Sequence, residues 1–184
     1  MITTELVTPR LLLRPLVSQD ASAIQQLFPR WEIVRYLIGT IPWPYPPGAA
    51  QDYVDNIALP ASSAGRGWFW TLRLKTDPRQ IIGVICLTDT PENQRGFWLV
   101  PEYQGAGYMT EACQVVNHFW FETLDRTVLR TAKAALNLRS RKLSVNSGMR
   151  LIRVEKAMYV SGELDSEVWE LTREAWRRQT QQGT

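Results

Sequence analysis

The chain predicts an α/β fold of the α+β kind: one domain with a mixed, mostly antiparallel sheet flanked by helices. Three observations predict it. At 184 residues and 45% hydrophobic, the chain is long enough to bury a real core, and one domain is the natural count. At Trp68 the hydrophobic period changes from helical to strand-like, and three strands linked by short turns follow. An apolar run then ends at Pro101, and a glycine turn opens a helix. The order of elements is β, helices, three hairpin-linked strands, α, β, α, β, β, which is not a regular βαβ array.

Residues 11–16, entered through Thr8-Pro9-Arg10, read as the first strand. Residues 18–20 supply capping side chains for a helix through Leu27, which Pro29 interrupts. A short helix is expected at 31–37. Residues 40–48 must be a loop, because prolines at this density remove donors and fix φ. Residues 49–58 read as helix and 60–67 as a small-residue loop. Strands follow at 68–74, 81–87 and 96–100, joined by turns at 75–79 and 89–95. After the glycine turn at 104–108 come a helix to about Phe121, a strand at 128–134 and a helix at 137–147 that Gly148 ends. Two strands, 152–160 and 167–171, are joined through 161–165. The chain closes in a short helix, 172–182, that frays.

Composition excludes several classes. A net charge of +3 is too mild to argue for nucleic-acid binding. The basic residues are unevenly spread, however. Arg126, Arg130, Lys133, Arg139, Arg141, Lys142, Arg150, Arg153 and Lys156 share one stretch in which Glu155 is the single acid. Most are expected to face solvent, a few to flank a polyanion. Cys86 and Cys113 form no framework and read as buried free thiols, in keeping with a reducing, cytoplasmic setting. The first ten residues hold no apolar signal core, and no run approaches the ~20 apolar residues of a membrane span. His118, the sole histidine, makes a histidine-rich metal site or a His-based triad unattractive, so no metal is expected.

The glycine turn carries the chemistry. The first N–H groups of a helix lack internal partners, and its dipole favours negative charge there. Gly105 and Gly107 let backbone come close to a phosphate. A Walker A loop would need Lys and Ser/Thr after the last glycine, where this chain has Tyr108 and Met109. A dinucleotide fingerprint would need a third glycine at Thr110 and a position after the first strand.

Three blocks carry a resemblance instead. Residues 8–15 form a typical opening strand. Residues 96–112 look like a "G-Y-W-L…G-x-G-Y-x-T-E-A" segment. Asn137-Leu-Arg-Ser140 followed by Gly148-Met149 matches an "N-x-x-S…G-F" helix. In this order and spacing they resemble the GNAT N-acyltransferase superfamily, in its branch of ribosomal-protein-alanine acetyltransferases (the RimJ/RimL type), with a domain over 8–178. The resemblance implies a splayed central strand pair that binds acyl-CoA. The backbones of Leu99 and Val100 would bind the pantetheine arm and thioester carbonyl. The amides of Gln104, Gly105, Ala106, Gly107 and Tyr108 would wrap the pyrophosphate. Asn137 would hold the pantetheine arm, and Arg139, Arg141 or Lys142 the 3′-phosphate. Acetyl-CoA is then the co-substrate and a primary amine the acceptor, which attacks the thioester directly, with a homodimer as a family-based expectation and neither nucleic acid nor membrane as partner.

This chain departs from the family at one place. Many members carry a tyrosine acid seven residues past the asparagine, where Ser144 stands. Ser140 is the replacement candidate, with Ser144 next; the plain alternative is that Ser140 bonds back to a helix carbonyl. The missing tyrosine keeps a second reading open, a non-catalytic CoA-binding sensor or interaction module. A nucleotide-binding regulatory domain is a third. Glu111 and Glu102 read as structural, His118 as a core or interface residue, and Tyr159 as packing. Trp68 and Trp70 should share one strand face. Trp31, Trp43 and Tyr45, in or beside the proline-rich loop, read as a loop anchor, or else as a lid over the acceptor.

Overall fold

The computed structural model describes residues 3–182 and shows two antiparallel sheets rather than one continuous sheet. The first has the order β1 (Leu6–Val7), β2 (Leu11–Pro15), β3 (Gly67–Leu74), β4 (Gly83–Thr88), β5 (Arg95–Leu99). The second is β6 (Val128–Ala134), β8 (Gly162–Thr172), β7 (Arg150–Tyr159). They meet at the start of β5, where Gln94 N–H donates to the carbonyl of Arg130 at 2.8 Å. The Gln94 and Asn93 side chains return the favour by accepting from the amides of Arg130 and Ala132. Beyond that point β5 and β6 part. The mixed fold expected from the sequence is present, with a wedge in its middle.

Among the described residues, seven α-helices cover the sheets: α1 (Ala21–Leu27), α2 (Trp31–Val34), α3 (Ala49–Tyr53), α4 (Leu59–Ser63), α5 (Tyr108–His118), α6 (Leu138–Asn146) and α7 (Arg173–Gln182). Period-two alternation in β3 divides the core. Trp68, Trp70 and Leu72 turn to one face, where α5 packs and where Phe119 meets the two indoles edge-on at 6.3 and 5.3 Å. Phe69 turns to the other, against α1 to α4. A buried ion pair, Arg73 to Asp20 at 2.6 Å, ties the turn before α1 to β3, and Asp20 also accepts from Val17 N–H.

Several expectations are corrected. Residues 59–63 are helical rather than loop. The chain makes a π turn at Val54–Ala58, in which Leu59 N–H reaches the Val54 carbonyl. Pro60 then falls at the start of α4, where a missing N–H costs little. A second π turn, Phe119–Thr123, extends α5. Helix α2 stops at Val34 because the next residues leave to pair with β7: Val160 N–H donates to Leu37 and Gly39 N–H to Met158. The expected loop 161–165 is mostly strand. β7 and β8 run into each other through a tight turn with Gly162 at φ +112°, and alternating exposed acids on β8 disguise it as loop. Among the described residues no helix is long and apolar enough to cross a membrane.

The approach of β4 to β5 leaves no room at Gly83, where an added Cβ would lie 2.4 Å from the Trp98 carbonyl oxygen. Gly83→Ala is expected to destabilise the protein by about 1–3 kcal/mol, as overpacking against rigid backbone does. Urea denaturation measures this, and an unchanged midpoint would show that β5 yields freely.

Candidate functional site

The site begins where β5 ends. Pro101–Tyr103 makes one 3₁₀ turn, Gly105 and Gly107 take positive φ (86° and 82°), and α5 starts at Tyr108. The first bond of this helix runs from Glu111 N–H to the Gly107 carbonyl at 3.1 Å. The amides of Tyr108, Met109 and Thr110 therefore have no partner within the helix. A side chain added at Gly105 would enter open space, so the turn presents bare backbone to a ligand.

A residue from the other end of the chain completes this nest. Arg10 donates through Nη1 to the Ala106 carbonyl at 3.0 Å, and its guanidinium lies 4.4 Å from the centre of the Tyr108 ring. Its Nε donates to Glu111 Oε2 at 2.7 Å, and its backbone N–H to Glu111 Oε1 at 2.8 Å. The Thr8 hydroxyl also donates to Glu111. Burial pushes the Glu111 carboxyl up, but these hydrogen bonds outweigh it and hold it below the usual carboxylate range. Glu111 is thus a structural clamp on the β1–β2 turn, as read from the sequence. Arg10 was not singled out there, because nothing local marks it; only the fold brings it to the turn.

The β5 edge requires a correction. Val100 N–H is not free, since it donates to the Ile82 carbonyl at 2.8 Å, and the Val100 carbonyl accepts from Tyr103. Peptide groups alternate in direction along an antiparallel ladder. Leu99 therefore turns its N–H to the opposite edge, toward the wedge. Its carbonyl there accepts from Gln104 Nε2 at 2.8 Å, and Gln104 Oε1 in turn accepts from Arg139 Nη1 on α6. Of the two expected backbones, that of Leu99 faces the wedge and that of Val100 is committed to β4.

Helix α6 forms the far side. Asn137 is its N-cap, accepting from Ser140 N–H at 3.2 Å, which leaves its amide NH₂ for other partners. Asn137, Ser140 and Ser144 follow helical spacing along one face. Ser140 is half-buried and Ser144 fully buried. The Ser144 hydroxyl is hydrogen-bonded by Lys133 Nζ, which also donates to Thr131 Oγ1 at 3.1 Å. Lys133 is buried on β6; burial first, and then the Arg95 guanidinium, push its ammonium down to about 7. Arg95 is itself buried, donating to Asn117 Oδ1 and toward Met149 Sδ, while its Nε has no hydrogen-bond partner among the described residues. Lys133 was read from the sequence merely as one of nine basic residues. Period two from Leu129 through Thr131 would have placed it inside.

The basic stretch resolves into ion pairs. Arg126 pairs with Asp89, Arg130 with Glu92 and Glu170, Arg150 with Glu170, Arg153 with Glu92 and Glu155, and Lys156 with Asp165. Arg141 pairs with Glu167 at 3.0 Å, which draws it toward β8 and away from the phosphate role. Among the described residues, Arg139 and Lys142 are the two exposed members of the run without an acidic partner.

Other residues fall as follows. Cys113 is buried but Cys86 half-buried. His118 is exposed rather than in the core, edge-on to Trp176 at 5.8 Å. Tyr159 is buried, its hydroxyl 2.6 Å from Ser166. Tyr45 anchors the proline-rich loop by packing edge-on to Phe28 at 5.1 Å, while Trp43 and Trp31 remain exposed beside each other.

The Glu111 clamp has a pH signature. Its folded value lies below the unfolded one, so the carboxylate adds stability that is complete above the unfolded value of about 4.3 and is lost as pH falls through the folded value. Wild type is expected to melt above Glu111→Gln near neutral pH, and the gap to close as pH falls through the lowered folded value. Melting curves across pH test this; a pH-independent gap would contradict the clamp.

Comparison with known proteins fits this geometry. A family model described as acetyltransferase (GNAT) domain matches residues 10–150. No curated protein matches the chain in sequence. Among solved structures, the ribosomal-protein-S5-alanine acetyltransferase of Vibrio fischeri is 17% identical with a TM-score of 0.79, covering 94% of this chain and 98% of that one. Mycobacterium smegmatis RimJ, in complex with CoA-disulfide, is 17% identical with a TM-score of 0.78, covering 98% and 93%. RimL, a ribosomal L7/L12 α-N-protein acetyltransferase in complex with coenzyme A, is 16% identical with a TM-score of 0.78, covering 92% and 98%. At such identities the likeness is one of fold. The family model, which takes in most of the sequence including the glycine turn and α6, shows that the chain belongs to the GNAT acetyltransferase family.

Proposed function

We propose that the chain transfers acetyl from acetyl-CoA to a primary amine, and that the amine is a protein N-terminus or a small molecule. The observation that carries this reading is the bare-backbone nest of residues 105–108 at the end of a strand whose outer edge is unpaired; the Gln104 N–H, also expected there, is instead committed to the Pro101 carbonyl at 3.1 Å. The nest suits the CoA pyrophosphate, with Arg10, itself paired with Glu111, bracing the turn through the Ala106 carbonyl. The Leu99 N–H suits an acyl carbonyl, and the Asn137 amide suits the peptide-like pantetheine arm. Arg139 and Lys142 are the cations left for the 3′-phosphate. The activities named for the RimL and Vibrio fischeri structures, both ribosomal-protein acetyltransferases and RimL an α-N-protein one, favour a protein N-terminus.

In the reaction the neutral amine attacks the thioester carbon. The developing oxyanion takes the Leu99 N–H, and collapse expels the CoA thiolate. Ser140, on the wedge-facing side of α6, orients the acyl arm by hydrogen bonding.

Calorimetry with CoA is expected to show binding to the wild type and none to Gly107→Glu, which sets a bulky negative group at the pyrophosphate; circular dichroism checks that the variant stays folded. Thiol release from acetyl-CoA is then expected with peptides bearing a free N-terminal Ala or Ser, or with a polyamine. Absence of CoA binding would sink the reading, while tight binding without transfer to any amine would make the chain a CoA-sensing module.

A further inference from the structure

The second sheet ends in a long open edge. β7 has ten residues, and its first seven are exposed. The outer strand of the first sheet, β1, has only two residues, and β5 and β6 face the wedge. The segment after α2 covers the far end of β7: Gly39 N–H donates to the Met158 carbonyl at 2.9 Å and Val160 N–H to the Leu37 carbonyl at 3.0 Å. These bonds also fix which peptide groups face outward. Met158 turns its own outward, so the alternation of an antiparallel ladder turns those of Lys156 and Val154 outward as well. Among the described residues, no strand of this chain pairs with them. The strand is also apolar on its open face. Leu151 and Val154, opposite Trp169 and Glu167, lie on the α6 side of the sheet and are 40% and 54% exposed. An edge of this kind is a template for another strand, and proteins commonly blunt it with charge. The charges of β7 do the reverse. Arg153 and Glu155 alternate in sign on one face, 2.8 Å apart. A row of one sign would repel a second strand, whereas this row can match one.

We propose that β7 pairs antiparallel with β7 of a second copy of this chain, about a two-fold axis at Val154, and joins two three-stranded sheets into one. A strand set antiparallel to itself makes an isologous contact, which closes at two copies. Charge selects the register. Peptide groups meet correctly across the middle of the free edge when the axis passes through Arg153, Val154 or Glu155. An axis at Arg153 sets that residue against its own copy, and an axis at Glu155 does the same to Glu155. An axis at Val154 sets Arg153 against Glu155 of the second copy, twice by symmetry. Both pairs then fall at the non-hydrogen-bonded positions, where side chains across a ladder are closest. The two Val154 residues exchange a pair of hydrogen bonds and bury their exposed side chains against each other. Ile152 lies against the aliphatic stem of Lys156 from the other copy. A partner of unrelated sequence could use the same peptide groups, but the match of Arg153 to Glu155 is a property of this strand against itself. The contact is on the far side of the second sheet from the wedge, so it stands whatever group the chain transfers.

Sedimentation equilibrium over a range of protein concentrations tests this, with no coenzyme or amine present. Wild type is expected to sediment with twice the mass of one chain. Arg153→Glu and Glu155→Arg each turn two attractive cross-strand pairs into two repulsive ones, and each is expected to weaken association about tenfold or more. The two variants mixed in equal amounts are expected to associate with each other, because every Glu then faces an Arg. The doubly exchanged chain, Arg153→Glu with Glu155→Arg, is expected to recover the wild-type mass. Val154→Pro removes an outward N–H while leaving the bonds of β7 to β8 in place, and is expected to be monomeric with an unchanged circular dichroism spectrum. A wild type that stays monomeric at the highest concentration it tolerates would overturn the proposal. So would a dimer indifferent to both charge variants, which would place the contact elsewhere. Should Val154→Pro fail to fold, the mixing of the two charge variants decides.

Discussion

The parting of β5 from β6 is the constraint on which the rest of the structure depends. An antiparallel sheet normally spends every peptide group on a neighbour, and an exposed edge invites unwanted pairing. Here an edge is opened inside the molecule. Each unpaired peptide group in such a place costs about 1–3 kcal/mol unless water or a ligand answers it. The opening can persist because the surroundings brace it. Gln94 and Asn93 pin the base, Gln104 and Arg139 bridge the rim, and cores on both faces hold the strands in place. What remains is a slot with one amide-lined wall, suited to a ligand arm that itself resembles a peptide.

Charge is distributed to the same end. On the second sheet the arginines of β6 and β7 are spent on Glu92, Glu155 and Glu170, which makes that surface a lattice of matched pairs. Such exposed pairs add little stability. Their effect is to neutralise most of the basic stretch, leaving Arg139 and Lys142 as its exposed cations without an acidic partner among the described residues.

How much of this was legible in the sequence depended on range. The glycine turn and α5 were readable because Gly105, Gly107 and the helical spacing after them are local signals, as were the indoles of Trp68 and Trp70 on one strand face. The split into two sheets was not, because β5 and β6 look alike whether paired or apart. Val100 was assigned to the open edge because nothing in the sequence tells which peptide groups alternate inward; Ile82, eighteen residues earlier, decides it. Arg10 and Lys133 were invisible for the same reason, since their partners lie 101 and 11 residues away. Short elements were misread where polarity and geometry conflict, as in the strand 162–166 with its exposed acids and the helix that continues past Pro60 by way of a π turn.

The hydrogen bonds from Gly39 and Val160 that stitch the segment after α2 to β7 have a mechanical meaning. The proline-rich loop begins at the end of that stitched segment, so one of its anchors belongs to the second sheet even though its aromatic Tyr45 rests on the first. The two sheets meet edge to edge around Gln94, like jaws sharing a pivot. The loop spans them on the side away from α5. A loop anchored on both sheets resists any change in the angle between them, so the aromatic residues it carries report on how far the wedge is open.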